Sequence, residues 1–275
     1  MFANCVNKFL SFQLATCLIV LISFGSPLTA AQTKLEYQVI SESQHNDRSF
    51  TQGLYQKGDT LYESSGLYGH SFLSVYTAKN NTPLQTLPLP KAVFAEGLTL
   101  VDDILYVLTW REKALLRFQV DNLQPLSPIA YQEQGWGLTH NKSHFIMSDG
   151  SATLYFRNLK TFAIEKKIVI KNSWRKFNNL NELEYVDGYI YSNIWQSPYI
   201  LKIDADSGAV VGIADFSELV KQNSKVKNHT VLNGIAYNAE QKAFWITGKL
   251  WNKRYLIRFE DPKKQPDPPP AETSH

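Results

Sequence analysis

The chain has 275 residues, a formal net charge of +3 and only two cysteines, Cys5 and Cys17, both close to the amino terminus. A nearly neutral chain with neither a basic face nor a nucleic-acid-binding motif is not expected to bind nucleic acid. If the amino-terminal segment is removed, no cysteine remains for a disulfide bond, a thiolate zinc site or a cysteine nucleophile.

Residues 1–31 have the pattern of a secretory signal. Lys8 precedes the apolar run FLSFQLATCLIVLISF, and the small residues around Ala30 and Ala31 suit cleavage. The run is short and contains polar side chains, so an uncleaved membrane anchor is the less favoured alternative. Cys17 lies inside the run, whereas a lipidated cysteine should follow it. We therefore expect an exported protein, periplasmic or secreted, with no membrane association after cleavage.

Five similar segments follow along the chain. Each has a small or polar residue, then a glycine or once a glutamate, an apolar residue, a short turn and an apolar strand. We call this glycine or glutamate the mark of each repeat, and successive marks are separated by 44, 40, 45 and 52 residues. These marks are Gly53, Gly97, Gly137, Glu182 and Gly234. Repeats of this length, with about four short strands in each, are typical of a β-propeller.

The repeats consist of strand-like sequence separated by hairpin turns. Stretches such as TLYESS and ILYVLT are rich in Tyr, Ile, Val and Thr, and QKGD and VDG suit tight turns. The sequence therefore predicts an all-β fold, a five-bladed β-propeller over residues 32–261, since a β-solenoid would have shorter steps and a sandwich less regular ones. We expect KLEYQVIS, residues 34–41, to join the last blade and close the ring. The proline-rich residues 262–275 predict a disordered tail, and we expect a monomer.

Equivalent positions of the repeats should surround one opening, because the innermost strand of each blade lines the central channel. The residue before each mark belongs to what we call the axial ring: Gln52, Glu96, Trp136, Asn181 and Asn233. A second layer is expected farther along the same repeats: Glu63, Trp110, Asp149, Trp195 and Lys249. Phe50 and Phe94 lie just upstream of the axial ring.

Together these residues have the composition of a ligand pocket, with aromatic rings and a few polar groups. Glu96 is the single ionisable residue of the axial ring, and a carboxylate among indoles should have a raised pKa, which suits proton transfer near neutrality. Taken alone, a tryptophan at a strand end is usually core packing, and Asp149 in SDGS usually caps a turn. The shared register of these residues favours a functional site.

No metal or cofactor site is recognisable in the sequence. The histidines lack zinc-ligand spacing; five of the six are His45, His70, His140, His144 and His229. There is no G-x-S-x-G elbow and no phosphate-binding loop. We therefore expect no metal and no cofactor, and acid–base and electrostatic chemistry on a small polar substrate.

Ten motifs in order, among them FTQGL, LYESSGLYG, FAEGLTL, GWGLT, NELEY and TGKLW, span residues 48–259. In these motifs the chain resembles the plant and bacterial type of glutaminyl-peptide cyclotransferase, or glutamine cyclotransferase. The resemblance implies a five-bladed propeller that converts the N-terminal glutamine of a peptide or protein to pyroglutamate and releases ammonia. It also implies that no catalytic zinc ion takes part.

The resemblance further implies roles for individual residues. Glu96 of FAEG would carry a proton from the attacking amine to the departing ammonia, while Asn181 and Lys249 would stabilise the oxyanion. The residues that match by motif and would bind the glutamine side chain are Phe50, Gln52, Trp110, Trp136 and Trp195. Phe94 and Asn233 are added to the binding residues because of their places in the repeats.

One position departs from the family pattern. The family often has GEGWGL, whereas this chain has EQGWGL, with Gln134 in place of the glutamate; a role for a second carboxylate is therefore in doubt. Two other functions stay open. A metal-dependent propeller hydrolase, such as a lactonase, could use oxygen ligands from Glu96, Asn181 and Asn233. A non-catalytic binding propeller is the other alternative.

Overall fold

The computed structural model describes residues 33–79, 82–223 and 230–260. The predicted signal segment 1–31 lies outside the described residues, as does the predicted tail 262–275, and both stay predictions. Among the described residues, no helix is long and apolar enough to cross a membrane.

The described chain forms five sheets that are arranged as the blades of a propeller, and the four strands of each blade are antiparallel. Two strands precede the first blade: β1 (Thr33–Lys34) and β2 (Tyr37–Gln44). Blade 1 contains β3 (Thr51–Lys57), β4 (Thr60–Ser65), β5 (Phe72–Thr77) and β6 (Gln85–Pro88). Blade 2 contains β7 (Ala95–Val101), β8 (Ile104–Thr109), β9 (Ala114–Gln119) and β10 (Pro125–Ala130). Blade 3 contains β11 (Leu138–His140), β12 (His144–Ser148), β13 (Thr153–Asn158) and β14 (Ile164–Val169).

The remaining described elements form blades 4 and 5 and the link between them. Blade 4 contains β15 (Leu180–Val186), β16 (Tyr189–Ile194), β17 (Tyr199–Asp204) and β18 (Val210–Asp215). The short helix α1 (Ser217–Asn223) follows. Blade 5 contains β19 (Leu232–Asn238), β20 (Ala243–Gly248) and β21 (Lys253–Phe259). The all-β five-bladed propeller predicted from the sequence is therefore confirmed.

The amino-terminal strand closes the ring, as predicted. β2 pairs with β21 in antiparallel register, with Tyr37 opposite Phe259 and Gln44 opposite Lys253, so it is the outer strand of blade 5. The predicted strand is interrupted, however, because β1 pairs in parallel with β18 of blade 4. Between β1 and β2 the side chain of Leu35 is buried. The chain thus contacts blade 4 before it completes blade 5.

Hydrophobic cores lie between neighbouring blades. In the described part of the chain there are five clusters of buried apolar residues, and each draws its members from two adjacent blades. Ile146 of blade 3, for example, belongs to the same cluster as Leu183 of blade 4. Because no blade buries its faces alone, the ring has to be complete before its apolar surface leaves water.

The repeated glycine of the sequence lies where the inner strands converge on the propeller axis. A Cβ atom on Gly97 would lie 2.4 Å from the backbone nitrogen of Leu138 in the next blade. A Cβ atom on Gly137 would lie 1.9 Å from the backbone oxygen of Asn181. Both distances are far shorter than a contact between non-bonded atoms, so only glycine permits this approach.

Glu182 occupies the corresponding position in blade 4, where its side chain lies among the inner strands instead of being absent as in glycine. Its fully buried carboxylate accepts the backbone N–H of Ile235 in blade 5 at 2.8 Å. The other oxygen accepts the N–H of Leu54 in blade 1 at 3.3 Å. One side chain therefore links three inner strands at the axis and satisfies donors that would otherwise be buried without a partner.

A second buried network joins the closing segment to blade 1. His45 Nδ1 donates to the carbonyl oxygen of Trp251 at 2.8 Å, and Nε2 donates to Glu63 Oε1 at 3.0 Å. Glu63 also accepts the hydroxyls of Thr51 and Tyr76. Burial raises the pKa of Glu63, but the charge of His45 and these hydrogen bonds outweigh it and hold the pKa below its usual value. Glu63 is therefore a structural residue.

Replacing Glu182 should weaken the junction of the three blades. In Glu182→Gln, the amide nitrogen cannot accept, so one buried backbone N–H loses its acceptor and faces another donor. We expect the free energy of unfolding to fall by about 1–3 kcal/mol, measured by urea denaturation. The exposed Glu240→Gln is the matched control. Equal denaturation midpoints for both variants would contradict this role for Glu182.

Stability should also depend on the protonation of Glu184. Its buried carboxylate accepts the N–H of Tyr237 at 2.9 Å and the hydroxyl of Thr139 at 3.4 Å. Burial raises the pKa of Glu184 from 4.5 to about 8, against the opposing effect of these hydrogen bonds. Because the folded protein keeps a proton that the unfolded chain releases, deprotonation destabilises the fold. The stabilisation is complete below pH 4.5 and is lost as the pH rises through 8.

We therefore expect the unfolding free energy of the unaltered protein, relative to Glu184→Gln, to decline between pH 5 and pH 8. The slope should approach about 1.4 kcal/mol per pH unit in the middle of that range, the value for one proton. Urea denaturation at several pH values measures it. Parallel pH profiles for the two proteins would show that Glu184 does not titrate in this way.

Candidate active site

The axial ring is presented by irregularities in the inner strands. In blades 1, 2, 4 and 5 the pairing of the first two strands shifts register at the ring residue, as in a β-bulge. In blade 3, Trp136 lies just before β11. Bulges interrupt the regular alternation of side chains and turn a residue toward a site. Four of the five blades therefore place their ring residues in the same way, and blade 3 places Trp136 just outside its first strand.

Hydrogen bonds between blades hold the backbone of the ring. The Gly97 N–H donates to the carbonyl oxygen of Trp136 at 2.6 Å. Ser148 Oγ donates to the backbone carbonyl oxygen of Asn181 at 2.7 Å. Ser64 Oγ donates to the backbone carbonyl oxygen of Glu96 at 2.6 Å. The ring backbone is thus fixed by the blades on both sides, which orients the side chains in advance of any ligand.

Two amides of the ring carry buried oxygen atoms with no hydrogen-bond partner among the described residues: Asn181 Oδ1 and Asn233 Oδ1. Asn233 Nδ2 donates to the carbonyl oxygen of Thr51 at 2.9 Å and approaches Gln52 Oε1 at 3.5 Å. Because a carbonyl can only accept, this contact fixes which end of the Asn233 amide is the oxygen. A buried acceptor without a hydrogen bond lowers the stability of the fold. These two oxygen atoms can accept hydrogen bonds from donor groups of a ligand.

Glu96 and Lys249 are the charged groups of the site, and both are almost fully buried. Burial raises the pKa of Glu96 well above its ordinary value; the charge of Lys249 opposes this shift and that of Glu112 adds to it. Burial lowers the pKa of Lys249 to about 8, although the charge of Glu96 raises it. No ion pair within 4.0 Å joins the two in the described structure. Each group therefore feels the charge of the other without a direct ion pair.

Aromatic side chains form the walls. We call the first group the Phe94 cluster, in which Phe94 packs at 5.4 Å from both Tyr68 and Trp110 and at 6.3 Å from Phe50, between ring centroids. Lys249 Nζ lies 4.6 Å from the centre of the Phe50 ring, a cation–π contact.

The second group is the Trp136 pair, in which Trp136 and Trp195 meet edge to face at 5.7 Å. Gly150 lies against the Trp136 indole, and a Cβ atom there would be 2.7 Å from Trp136 Cε2. Trp195 is the most exposed member, with 38% of its surface accessible. The Trp136 pair is thus packed on one side and open to solvent on the other.

The axial ring predicted from the sequence is therefore assembled, but one member of the second layer was wrong. In blades 2 to 5 the second layer is the residue directly after the second strand: Trp110, Asp149, Trp195 and Lys249. In blade 1 that position is Gly66, not Glu63. A Cβ atom on Gly66 would lie 2.3 Å from the Phe94 ring, so the Phe94 side chain fills the place of a second-layer residue.

Asp149 is in the predicted register but has a structural role. Its carboxylate accepts the hydroxyl of Tyr155 at 2.8 Å and the N–H of Ser151 at 3.0 Å. It therefore caps the turn, as the SDGS pattern alone indicated.

Three residues near the site were missed by the sequence analysis or given no role: Tyr68, Glu112 and Gln134. The Tyr68 hydroxyl donates to Glu112 Oε1 at 2.8 Å, and the Phe94 N–H approaches Glu112 Oε2 at 3.4 Å. Gln134 accepts the indole N–H groups of Trp110 and Trp136. These residues lie in loops that do not recur between repeats, so repeat register gave no signal for them.

Within residues 33–79, 82–223 and 230–260, no group of three or more His, Cys, Asp or Glu side chains is placed to hold a metal ion. Four of the five histidines named above lie in these ranges, and His229 lies outside them. Three of these histidines contact residues of the fold: His45 bonds Glu63, His140 Nδ1 contacts the Thr99 hydroxyl at 2.8 Å, and His144 Nε2 lies 3.0 Å from Glu165 Oε2.

Known proteins share both the sequence and the fold. A family model described as glutamine cyclotransferase matches residues 13–259. An Arabidopsis thaliana protein named glutaminyl-peptide cyclotransferase is 33% identical over 242 residues, which are 86% of this chain and 76% of that protein. The crystal structure of Myxococcus xanthus glutaminyl cyclase is similar with a TM-score of 0.77 and 32% identity, over 83% of this chain and 98% of that one. With its match to the family model along nearly its whole length, this chain belongs to the glutamine cyclotransferase family.

Proposed function

We propose that this enzyme cyclises the N-terminal glutamine of a peptide or protein to pyroglutamate with Glu96 as the proton shuttle. The reaction itself is the activity of the family to which the chain belongs. The observation that carries the mechanism is the geometry around Glu96. Glu96 and Lys249 are both buried, each charge shifts the pKa of the other, and Lys249 lies over the Phe50 ring.

The chemistry needs two proton transfers at one place. The α-amine of the substrate attacks the side-chain carboxamide carbon, forms the ring C–N bond and becomes positively charged. Glu96 takes a proton from this nitrogen and then delivers it to the departing amide nitrogen, whose bond to carbon breaks as ammonia leaves. A carboxyl group with a pKa raised by burial suits both steps, because its carboxylate is a stronger base than an exposed one and its acid form can return the proton.

Lys249 and Asn181 stabilise the negative charge that develops on the carboxamide oxygen. The Lys249 ammonium is buried, so its field is little screened by water. Its lowered pKa of about 8 still leaves it mostly charged at neutral pH. The Asn181 amide adds an N–H donor to the same oxygen, while its unpaired Oδ1 is available to an N–H of the departing nitrogen.

The remaining ring residues hold the substrate amine and side chain. Asn233 Oδ1 is buried and unpaired, and its direction is fixed by the contact with Thr51, so it accepts an N–H of the α-amine. The Phe94 cluster and the Trp136 pair enclose the methylene groups of the glutamine side chain and exclude water. Exclusion of water matters because hydrolysis of the same carboxamide would compete with cyclisation.

A metal-dependent hydrolase fits this site less well. The oxygen ligands considered for a cation were Glu96, Asn181 and Asn233, but Lys249 brings a positive charge to the same site. Glu96 and Lys249 are near enough that the charge of each shifts the pKa of the other. A cation would have to displace that charge or overcome its repulsion. We therefore propose that catalysis proceeds without a metal ion.

We also propose that the protein is exported, because residues 1–31 have the pattern of a secretory signal.

Glu96→Gln should abolish the reaction without unfolding the protein. The amide is neutral and cannot carry the proton, so kcat for ammonia release from a Gln-initiated peptide should fall about 10²- to 10⁴-fold. Glu240→Gln, an exposed carboxylate in blade 5, is the control and should keep normal activity. Added EDTA should leave the rate of the unaltered protein unchanged. Full activity in a folded Glu96→Gln protein would rule out the shuttle, and loss of activity with EDTA would support the metal-dependent alternative.

The charges near Glu96 should shift the pH dependence in opposite directions. Glu96 must start as a carboxylate, so kcat/KM rises with pH through its pKa. Removing the positive charge in Lys249→Met should raise that pKa and move the acidic limb to higher pH, whereas removing the negative charge in Glu112→Gln should lower it. The midpoint of the limb in each variant, rather than its height, is the measurement. Shifts in the same direction would mean that the limb does not report Glu96.

A further inference from the structure

The aromatic walls of the pocket consist of two groups that do not touch each other. The Phe94 cluster belongs to blades 1 and 2, and the Trp136 pair belongs to blades 3 and 4. In the described structure, no ring-to-ring contact joins a member of one group to a member of the other. The width of the pocket between them therefore depends on some other contact.

Gln134 supplies that contact. Its Oε1 accepts the Trp110 indole N–H at 3.0 Å, from the Phe94 cluster, and the Trp136 indole N–H at 3.4 Å, from the Trp136 pair. An indole nitrogen can donate but cannot accept, so the end of the Gln134 amide that faces both rings must be its oxygen. One atom thus orients both indoles and links the two walls.

The backbone around Gln134 is anchored to blade 2. The next residue, Gly135, donates its N–H to the carbonyl oxygen of Trp110 at 3.1 Å. Three residues before Gln134, the Tyr131 hydroxyl donates to the carbonyl oxygen of Thr109 at 2.6 Å. Although the Gln134 side chain is exposed, these hydrogen bonds hold the backbone on both sides of it. Only side-chain rotations have to be restricted to form the two hydrogen bonds.

We propose that Gln134 is a positioning residue that sets the separation and orientation of Trp110 and Trp136, and thereby the fit of the substrate's carboxamide side chain. Because the amide is neutral, it accepts both indole N–H groups without adding a charge to the mouth of the pocket. This inference rests on the proposed function, and it concerns the position where the family resemblance led us to expect a glutamate.

The kinetic test compares Gln134→Leu with Gln134→Glu. Leucine has similar size but no acceptor, so we expect KM for a Gln-initiated peptide to rise about tenfold, as for the loss of a hydrogen bond, with kcat nearly unchanged. Glutamate restores an acceptor, so its KM at neutral pH should return to within about twofold of the original. Gln132→Leu, an exposed position in the same loop, is the matched control. Unchanged KM in Gln134→Leu, or equal losses in Gln134→Leu and Gln134→Glu, would overturn the proposal.

A spectroscopic test does not depend on activity. The chain has six tryptophans, and 15N-labelled indole groups give separate N–H resonances, which Trp110→Phe and Trp136→Phe would assign. In Gln134→Leu, the resonances of Trp110 and Trp136 should move and exchange faster with water, while Gln134→Glu should keep them protected. If neither resonance responds to Gln134→Leu, the proposal fails. If the unaltered protein releases no ammonia, the proposed function fails, and these resonances still decide whether Gln134 holds the two indoles.

Discussion

The inner strands of the blades approach one another so closely at the propeller axis that a β-carbon has no room at most of the marked positions. Gly97 and Gly137 accommodate this with no side chain, whereas Glu182 fills the remaining space and accepts backbone N–H groups from two other blades. The central channel is therefore blocked by backbone and by one buried carboxylate. A ligand has to bind at the end of the axis rather than pass along it.

The same close packing explains where the polar side chains go. Since the marked residue is pressed against the neighbouring blade, the pairing shifts at this position and the residue before the mark is turned toward the opening. Serine hydroxyls on the second strands, such as Ser64 and Ser148, bond the ring backbone of the next blade. Residues that recur between blades thus build the frame, and the proposed chemistry is assigned to side chains that differ between blades, such as Glu96 and Asn181.

Repeat register was sufficient to predict the fold and the axial ring, because both depend on what the blades share. Repeat register also predicted the closing strand, because the last repeat lacked an outer strand and the strand before the first repeat could supply it. It failed at Glu63, where the apparent alignment of the first repeat ignored the strand end and the small Gly66 that admits the Phe94 ring. It gave no role to Gln134 because contacts between two loops leave no periodic pattern.

Burial acts in opposite directions on the two charged groups of the site. It raises the pKa of Glu96 and lowers that of Lys249 to about 8, so the acid becomes a weaker acid and the ammonium a stronger one. The charge of each group limits the pKa shift of the other. In the proposed mechanism, the raised pKa makes the Glu96 carboxylate a stronger base, and its acid form then returns the proton. Burying these groups without an ion pair destabilises the fold, and in the proposed mechanism the same burial prepares the site for proton transfer before the substrate binds.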